Sequence, residues 1–189
     1  FDKDGDAHYD LLSCFQKSIR GSDPDAALHY LARLLKGGDL KSIGRRLLVI
    51  ASEDIGLAYP SAISIVKACV EAALQVGLPE AQINLSQAVI LLATSPKSNS
   101  AAQGIGEAMA DLERRNLGEL PAHLRDAHYG GAAKLGHGIS YKYPHDYPNH
   151  YVKQQYMPDA LEGTVYYHPG ENKNERAIRQ YMQDLKKEE

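Results

Sequence analysis

Apolar residues recur along most of this chain every three or four positions, the period of a helix with one buried face. Between Ala7 and Arg20 the face is Leu11, Leu12, Phe15 and Ile19, and Gly21 ends the helix. Asp23-Pro24 opens a second helix: the aspartate caps orphan amides, and proline has no N–H to leave unpaired in the first turn. Leu28, Leu31 and Leu35 form its stripe, with Ala27 and Leu34 beside them, and Gly37-Gly38 stops it. Asp39 caps a third helix, striped by Leu40, Ile43, Leu47 and Ile50 and widened by Leu48, Ala51 and Ile55. The short turn between the second and third helices predicts antiparallel packing. Tyr59-Pro60 begins a fourth helix with Ala62, Val66, Cys69, Ala73 and Val76 on one side, closed by Gly77. A fifth begins at Pro79 or Leu85 and contains Ala88-Val89-Ile90-Leu91-Leu92-Ala93, apolar on every side, so it belongs at the bundle centre or in a subunit interface. Pro96 ends it. A sixth runs from about Ser98 to Arg115 on Ile105, Met109 and Leu112, and Asn172 to Lys187 resumes helix on Ile178, Tyr181 and Leu185.

Between Gly130 and Gly170 this rhythm lapses. Seven of the twelve tyrosines fall between Tyr141 and Tyr167, and four of the eight histidines between His137 and His168. Disordered tails are poor in aromatic residues, so an ordered irregular segment is expected, laid over the bundle or a neighbouring subunit. Val165-Tyr166-Tyr167 is a candidate short strand. The fold class is therefore all-α: a helical bundle over 1–129, an irregular segment over 130–171 and a terminal helix over 172–189.

At 189 residues, 43% hydrophobic and 24% charged, the chain is globular and able to bury a real core. A net charge of −3 argues against a strongly basic nucleic-acid module, though a local patch remains open. Cys14 and Cys69 both sit in helical apolar patterns and read as reduced core residues, consistent with a cytosolic protein. No apolar run is long enough to span a bilayer, and no signal peptide is legible. The chain opens at Phe1 without methionine, which suggests a piece of a longer protein.

Asp2 to Asp6 imitates the start of a calcium loop, but the positions that need glycine and glutamate hold Ala7 and Ser13, leaving a linker with a capping aspartate. No Gly-x-x-x-x-Gly-Lys-Ser/Thr occurs to cradle phosphate, Gly104-Ile105-Gly106 follows no strand, and the Glu53-Asp54 acidic pair has no phosphate loop beside it. His137, His145, His150 and His168, with Asp146, are the only cluster of ligand-type residues, without either common zinc spacing. No nucleophile elbow occurs, and neither cysteine has an activating context. Catalytic, cofactor and metal residues are therefore expected to be none. Cationic candidates for DNA phosphate are Arg20, Arg45, Arg46, Lys97, Arg114 and Arg115, against the alternative that they pair with acids such as Glu53, Asp54 and Glu113. Glu53 and Asp54 oppose the helix dipole and call for compensation from Arg20, Arg45 or Arg46 as an ion-pair network, or else contact a partner. Tyr141, Tyr143, Tyr147, Tyr151 and Tyr156 are candidate interface residues.

Longer strings add a family likeness. His8-Tyr9-Asp10, Ser18 to Leu28, Arg45-Arg46-Leu47, Ala51 to Ala58, Pro96-Lys97-Ser98-Asn99, Tyr141 to Asp146 and Gln155-Tyr156-Met157-Pro158 together resemble the region after the ATPase core in the RarA/MgsA group of replication-associated recombination proteins, which includes the Werner-helicase-interacting ATPases. The resemblance implies a helical, tetramerising C-terminal part of an AAA+ ATPase related to clamp loaders. It implies helix pairs like a clamp-loader collar, an ATP- and Mg-dependent core upstream, a homotetramer acting on DNA with replication proteins as possible partners, no membrane, and a cytoplasmic, nucleoid-associated location. Two rivals stay open: a stand-alone DNA-binding helical module, and a metal-dependent enzyme built on the histidine-rich segment.

Overall fold

The computed structural model describes residues 2–128, 131, 135–136 and 138–187, with side chains at all of these except 2–4 and 6. Gly130 and His137, and the aspartate side chains on which a calcium reading turns, lie outside that description. Every regular element among the described residues is helical: α1 (Asp2–Arg20), α2 (Pro24–Lys36), α3 (Leu40–Ile50), α4 (Ala62–Val76), α5 (Ala81–Thr94), α6 (Ser100–Arg114) and α7 (Lys173–Lys186). None is long and apolar enough to cross a membrane.

The chain divides into two compact units. The first is Phe1–Gln103 with Pro169–Arg176. Its helix starts are set by the expected caps: Asp23 accepts the Ala26 N–H at 2.9 Å and Asp39 accepts the Ser42 N–H at 3.0 Å. At Gly38 the backbone turns left-handed (φ 75°), which only glycine does cheaply, and α2 stops. α5 touches α1, α2, α3 and α4, the central position that an all-round apolar helix demands. Phe15, Ile19, Leu31, Ile43, Leu47, Ile50, Val66, Leu85, Val89 and Leu92 fill the core around it.

Several expectations need correction. α1 starts at Asp2, not Ala7. Despite the short turn between them, α2 and α3 are not a packed pair: α2 lies on α1 and α5, and α3 on α4. Cys69 is buried, but Cys14 is exposed, because the buried face of α1 runs through Leu12, Phe15, Gln16 and Ile19 and leaves position 14 outside it. Val76 is exposed at the end of α4.

The second unit is Gly104–His168 with Ala177–Glu189. Between α6 and α7 its described residues form only single 3-10 turns, at Ala122–Leu124, Pro144–Asp146, Pro148–His150 and Asp159–Leu161. Side chains take over the bonding that regular structure would supply. His123 meets the Gln155 carbonyl at 2.7 Å, and Arg125 donates to the Leu120 carbonyl at 2.8 Å. Val165 to Tyr167 is not a strand: among the described residues no neighbouring strand offers it a ladder. Instead Gly104 lets α6 approach this stretch, since a Cβ there would sit 3.0 Å from the Tyr166 carbonyl, and the Tyr166 hydroxyl donates to Asp111 at 2.6 Å. The stripe of α6 also departs from expectation: Ile105, Met109 and Leu112 are 62%, 53% and 61% exposed.

In the first unit, α3 comes so close to α4 at Gly44 that an added Cβ would lie 2.7 Å from a methyl of Val70. Gly44→Leu is expected to cost about 1–3 kcal/mol in urea unfolding, and Val70→Ala in the same chain to recover part of it. Equal stabilities for the single and double variants would show that this approach does not constrain the core.

Candidate functional site

α3 does not end at a cap. It passes into one turn of π-helix, Ala51–Ile55, whose wider loop lets the Gly56 N–H bond the Ala51 carbonyl. Gly56 then takes φ 47°, ψ −127°, a conformation other residues avoid, and a Cβ there would crowd the Ser98 carbonyl at 3.2 Å. This turn buries Asp54 and leaves Glu53 half-exposed.

Arg20 at the end of α1 answers both acids. Its Nε donates to Asp54 at 2.7 Å and an Nη to Glu53 at 3.2 Å. Hydrogen bonding to Asp54 is the main influence holding the Arg20 proton more firmly than usual. Gln16, buried one turn earlier, donates to Asp54 at 3.1 Å and to Glu53 at 3.2 Å, and its carbonyl accepts from Arg46 at 2.8 Å. The Asp54 backbone carbonyl in turn accepts the Ser98 N–H at 2.8 Å. Lys97 directs its ammonium to the Ser95 carbonyl (2.6 Å), Ser22 Oγ (2.9 Å) and the Ala93 carbonyl (3.1 Å), closing the C-terminal end of α5. Burial lowers the Lys97 pKa, with the Asp54 charge acting the other way. Arg20, Glu53, Asp54, Lys97 and Ser98, with Asn99 and Gln103, line a cleft of about 460 Å3.

The network continues inward from Ser98. Its hydroxyl bonds Ser100 Oγ at 3.1 Å, and Ser100 donates to Glu175 at 2.7 Å. Glu175 is fully buried. Burial pushes its pKa up, but hydrogen bonds from Ser98, Ser100, Asn172 and the Gly170 N–H outweigh that and hold it at about 2, against an ordinary 4.5. Asn172 also accepts the Glu175 N–H at 2.8 Å, the reciprocal cap that starts α7, and Asn174 donates to the Leu57 carbonyl at 2.6 Å.

The cationic candidates thus separate. Arg20, Arg46 and Lys97 belong to this network together with Glu53 and Asp54. Arg45 does not: it is exposed, makes no hydrogen bond or ion pair among the described residues, and lines a groove of about 550 Å3 between α1 and α3 with His8, Tyr9, Ser42 and Arg46. In the second unit Arg114 and Arg115 approach Asp111 at 3.0 and 3.7 Å, rather than Glu113. His145 and His150 meet there through their Nδ1 atoms at 2.9 Å. Among the described residues no three His, Cys, Asp or Glu side chains gather to hold a metal ion. Tyr141, Tyr143, Tyr147 and Tyr156 are exposed, and Tyr151 is half-buried.

The segments that converge on the cleft are also those that carried the family likeness: Ser18 to Arg20, Ala51 to Gly56 and Pro96 to Asn99. The family model described as MgsA AAA+ ATPase C terminal matches residues 21–186. The chain belongs to this family. It is 59% identical to replication-associated recombination protein A of Bacillus subtilis over 98% of this chain and 44% of that protein. The Escherichia coli K12 protein of the same name is 41% identical over 89% of this chain and 38% of its own length. ATPase WRNIP1 of Dictyostelium discoideum is 36% identical over 88% of this chain and 19% of its own length. The chain thus spans about two fifths of the bacterial relatives, 44% and 38% in these two.

Two members of this network, Gln16 and Glu175, escaped sequence reasoning. Both had a signal. Gln16 shares the helical face of Leu12 and Ile19, and Glu175 stands three residues after Asn172, the spacing of a reciprocal cap.

Glu175 has a depressed pKa, so its contribution to stability is complete above the unfolded value near 4.5 and is lost as pH falls toward about 2. Glu175→Gln is expected to lower stability at pH 7 by about 2 kcal/mol. It should also flatten the decline of the urea midpoint between pH 5 and pH 3, roughly the window set by these values. A midpoint that falls equally steeply in both proteins would show that Glu175 does not act as a buried anion.

Proposed function

We propose that this chain is the assembly module of an AAA+ ATPase that acts on DNA in replication-associated recombination, with copies of the chain associating as a tetramer. The ATP- and Mg-dependent core belongs to the part of the relatives that the chain does not span. The names of the bacterial relatives support the process, and the ATPase family description supports the motor. On this reading the chain itself has no reaction to perform. Its paired charges are spent on holding five segments of helix and turn together, and its helix pairs serve as a collar of the clamp-loader kind. They hold motor units in fixed geometry, so that nucleotide state in one biases its neighbours.

The observation that carries self-association is the exposed stripe Ile105, Met109 and Leu112 at i, i+4, i+7 on α6, the spacing of a helix face meant for a partner. Sedimentation of the full chain at micromolar concentration is expected to give a particle several times 20.8 kDa. Ile105→Glu with Leu112→Glu should reduce it to a single copy with unchanged helicity. A lone 20.8 kDa particle in the parent chain overturns the reading.

DNA contact is assigned first to Arg45, the candidate arginine whose side chain makes no hydrogen bond or ion pair among the described residues, with Arg46 beside it in the groove. Arg20 and Lys97, already engaged, contribute at most at the edge of their cleft. Arg45→Ala with Arg46→Ala in the assembled protein is expected to weaken DNA binding and to reduce the slope of log affinity against log salt by roughly one per lost phosphate contact. An unchanged slope would remove both arginines from the interface. The same exposed Arg45 is what a stand-alone DNA-binding module would use, and binding by a single copy would favour that second reading.

A further inference from the structure

The second unit contains a stretch with no evident use for its own stability. Four of the five tyrosines between Tyr141 and Tyr156 are exposed to a third or more: Tyr141 is 43% exposed, Tyr143 53%, Tyr147 37% and Tyr156 50%, while Tyr151 is half-buried. Rings left this open contribute little to burial, and their number in one short stretch calls for an explanation. The stretch is nevertheless held in place. The Gln154 side-chain amide uses every polar group it has. Its oxygen accepts the Lys142 N–H at 3.1 Å, and its nitrogen donates to the Lys142 carbonyl at 2.7 Å and to the Tyr156 hydroxyl at 2.8 Å. One side chain thus grips the backbone between Tyr141 and Tyr143 from both sides and fixes the phenol of Tyr156 next to it. Aromatic contacts extend the row: the Tyr143 and His145 ring centroids lie 5.2 Å apart, and those of His145 and His150 4.8 Å apart.

Charge points the same way. The formal charges within 141–156, histidines aside, are Lys142, Lys153 and Asp146, a positive balance in a chain whose net charge is −3. Lys142 and Lys153 are both exposed, and the Lys142 ammonium makes no ion pair among the described residues. Exposed aromatic rings on a rigid backbone, interleaved with cations, are what unpaired nucleotides need: a ring face for each base and a charge for the phosphate between.

We propose that Tyr141–Tyr156 is a stacking platform for single-stranded DNA. Tyr143 and Tyr156 are the principal rings, Lys142 contacts the backbone phosphate, and Gln154 is the residue that fixes their spacing. The platform rests on the reading that this protein meets DNA. It is separate from Arg45 and Arg46, and it requires no sequence preference, since every base offers a ring face.

The test is binding of fluorescein-labelled oligo(dT) to the full chain by anisotropy, with sedimentation of each variant. Tyr143→Ala with Tyr156→Ala should weaken binding about tenfold or more, whereas Tyr143→Phe, which keeps that ring and leaves the Gln154–Tyr156 bond in place, should stay near the parent value. The salt slope should change little in either, because stacking releases few counterions. Unchanged affinity in the alanine variant overturns the platform, as does an equal loss in the phenylalanine variant. If the alanine variant binds normally but loses its oligomeric state, the rings are a contact between copies. If Arg45→Ala with Arg46→Ala abolishes binding while the tyrosine variants do not, DNA contact stands and the platform falls. Photocrosslinking of 5-iodouracil-substituted single strands to the unaltered chain decides without mutation: adducts mapped to tyrosines 141–156 support the platform, and adducts only elsewhere, or none, overturn it.

Discussion

Asp54 is bonded twice, once through its side chain and once through its backbone, and much of the first unit follows from that. Its carboxylate holds the end of α1 by way of Arg20 and Gln16. Its carbonyl holds the segment that enters α6 by way of the Ser98 N–H. A buried carboxylate with a single partner is expensive, and one satisfied by a guanidinium and an amide together is far less so. The π-turn makes both bonds possible at once. One additional residue in the helical loop turns the side chain of residue 54 toward α1, while Gly56 brings the chain close against Ser98. A continuous α-helix through Ile55 would offer those acids to solvent at a helix end, where the dipole disfavours them.

The helices were legible because their punctuation is chemical. Asp23, Pro24, Gly38, Asp39 and Gly77 each act through a local rule that needs no knowledge of the rest of the fold, and the all-round apolar run in α5 has only one kind of place to go. What stayed hidden depended on partners distant in sequence. Which arginine answers Glu53 and Asp54 is decided by the packing of α1 against α3, and Arg45 and Arg46, adjacent in sequence, part company because a helix turns about 100° per residue. The stripe of α6 is a different kind of miss. Spacing says that Ile105, Met109 and Leu112 share a face, but nothing in a sequence says whether that face meets the same chain. Cys14 was misplaced for a simpler reason: a helical face about three residues wide was drawn one residue too generously.

Polar and apolar parts divide the labour between the units. In the first, no buried side-chain nitrogen or oxygen among the described residues lacks a partner, so its buried polar groups are committed to the fold. In the second, order comes from amide and hydroxyl bonds between irregular segments, and large apolar and aromatic groups remain outward. Rings and aliphatic chains displayed on turns and on one helix face are the kind of surface that recognition uses.

The Ser100–Glu175 bond joins residues 75 apart in sequence at a distance of 2.7 Å. Everything from Gly104 to His168 is therefore an excursion that leaves the first unit and returns to nearly the same point. Such an excursion is free to lengthen or shorten without altering the register of the helices in the first unit, because the cost of closing a loop grows only slowly with its length. Lengthening this stretch by a few residues should therefore leave the Ser100–Glu175 bond and the helices of the first unit in place.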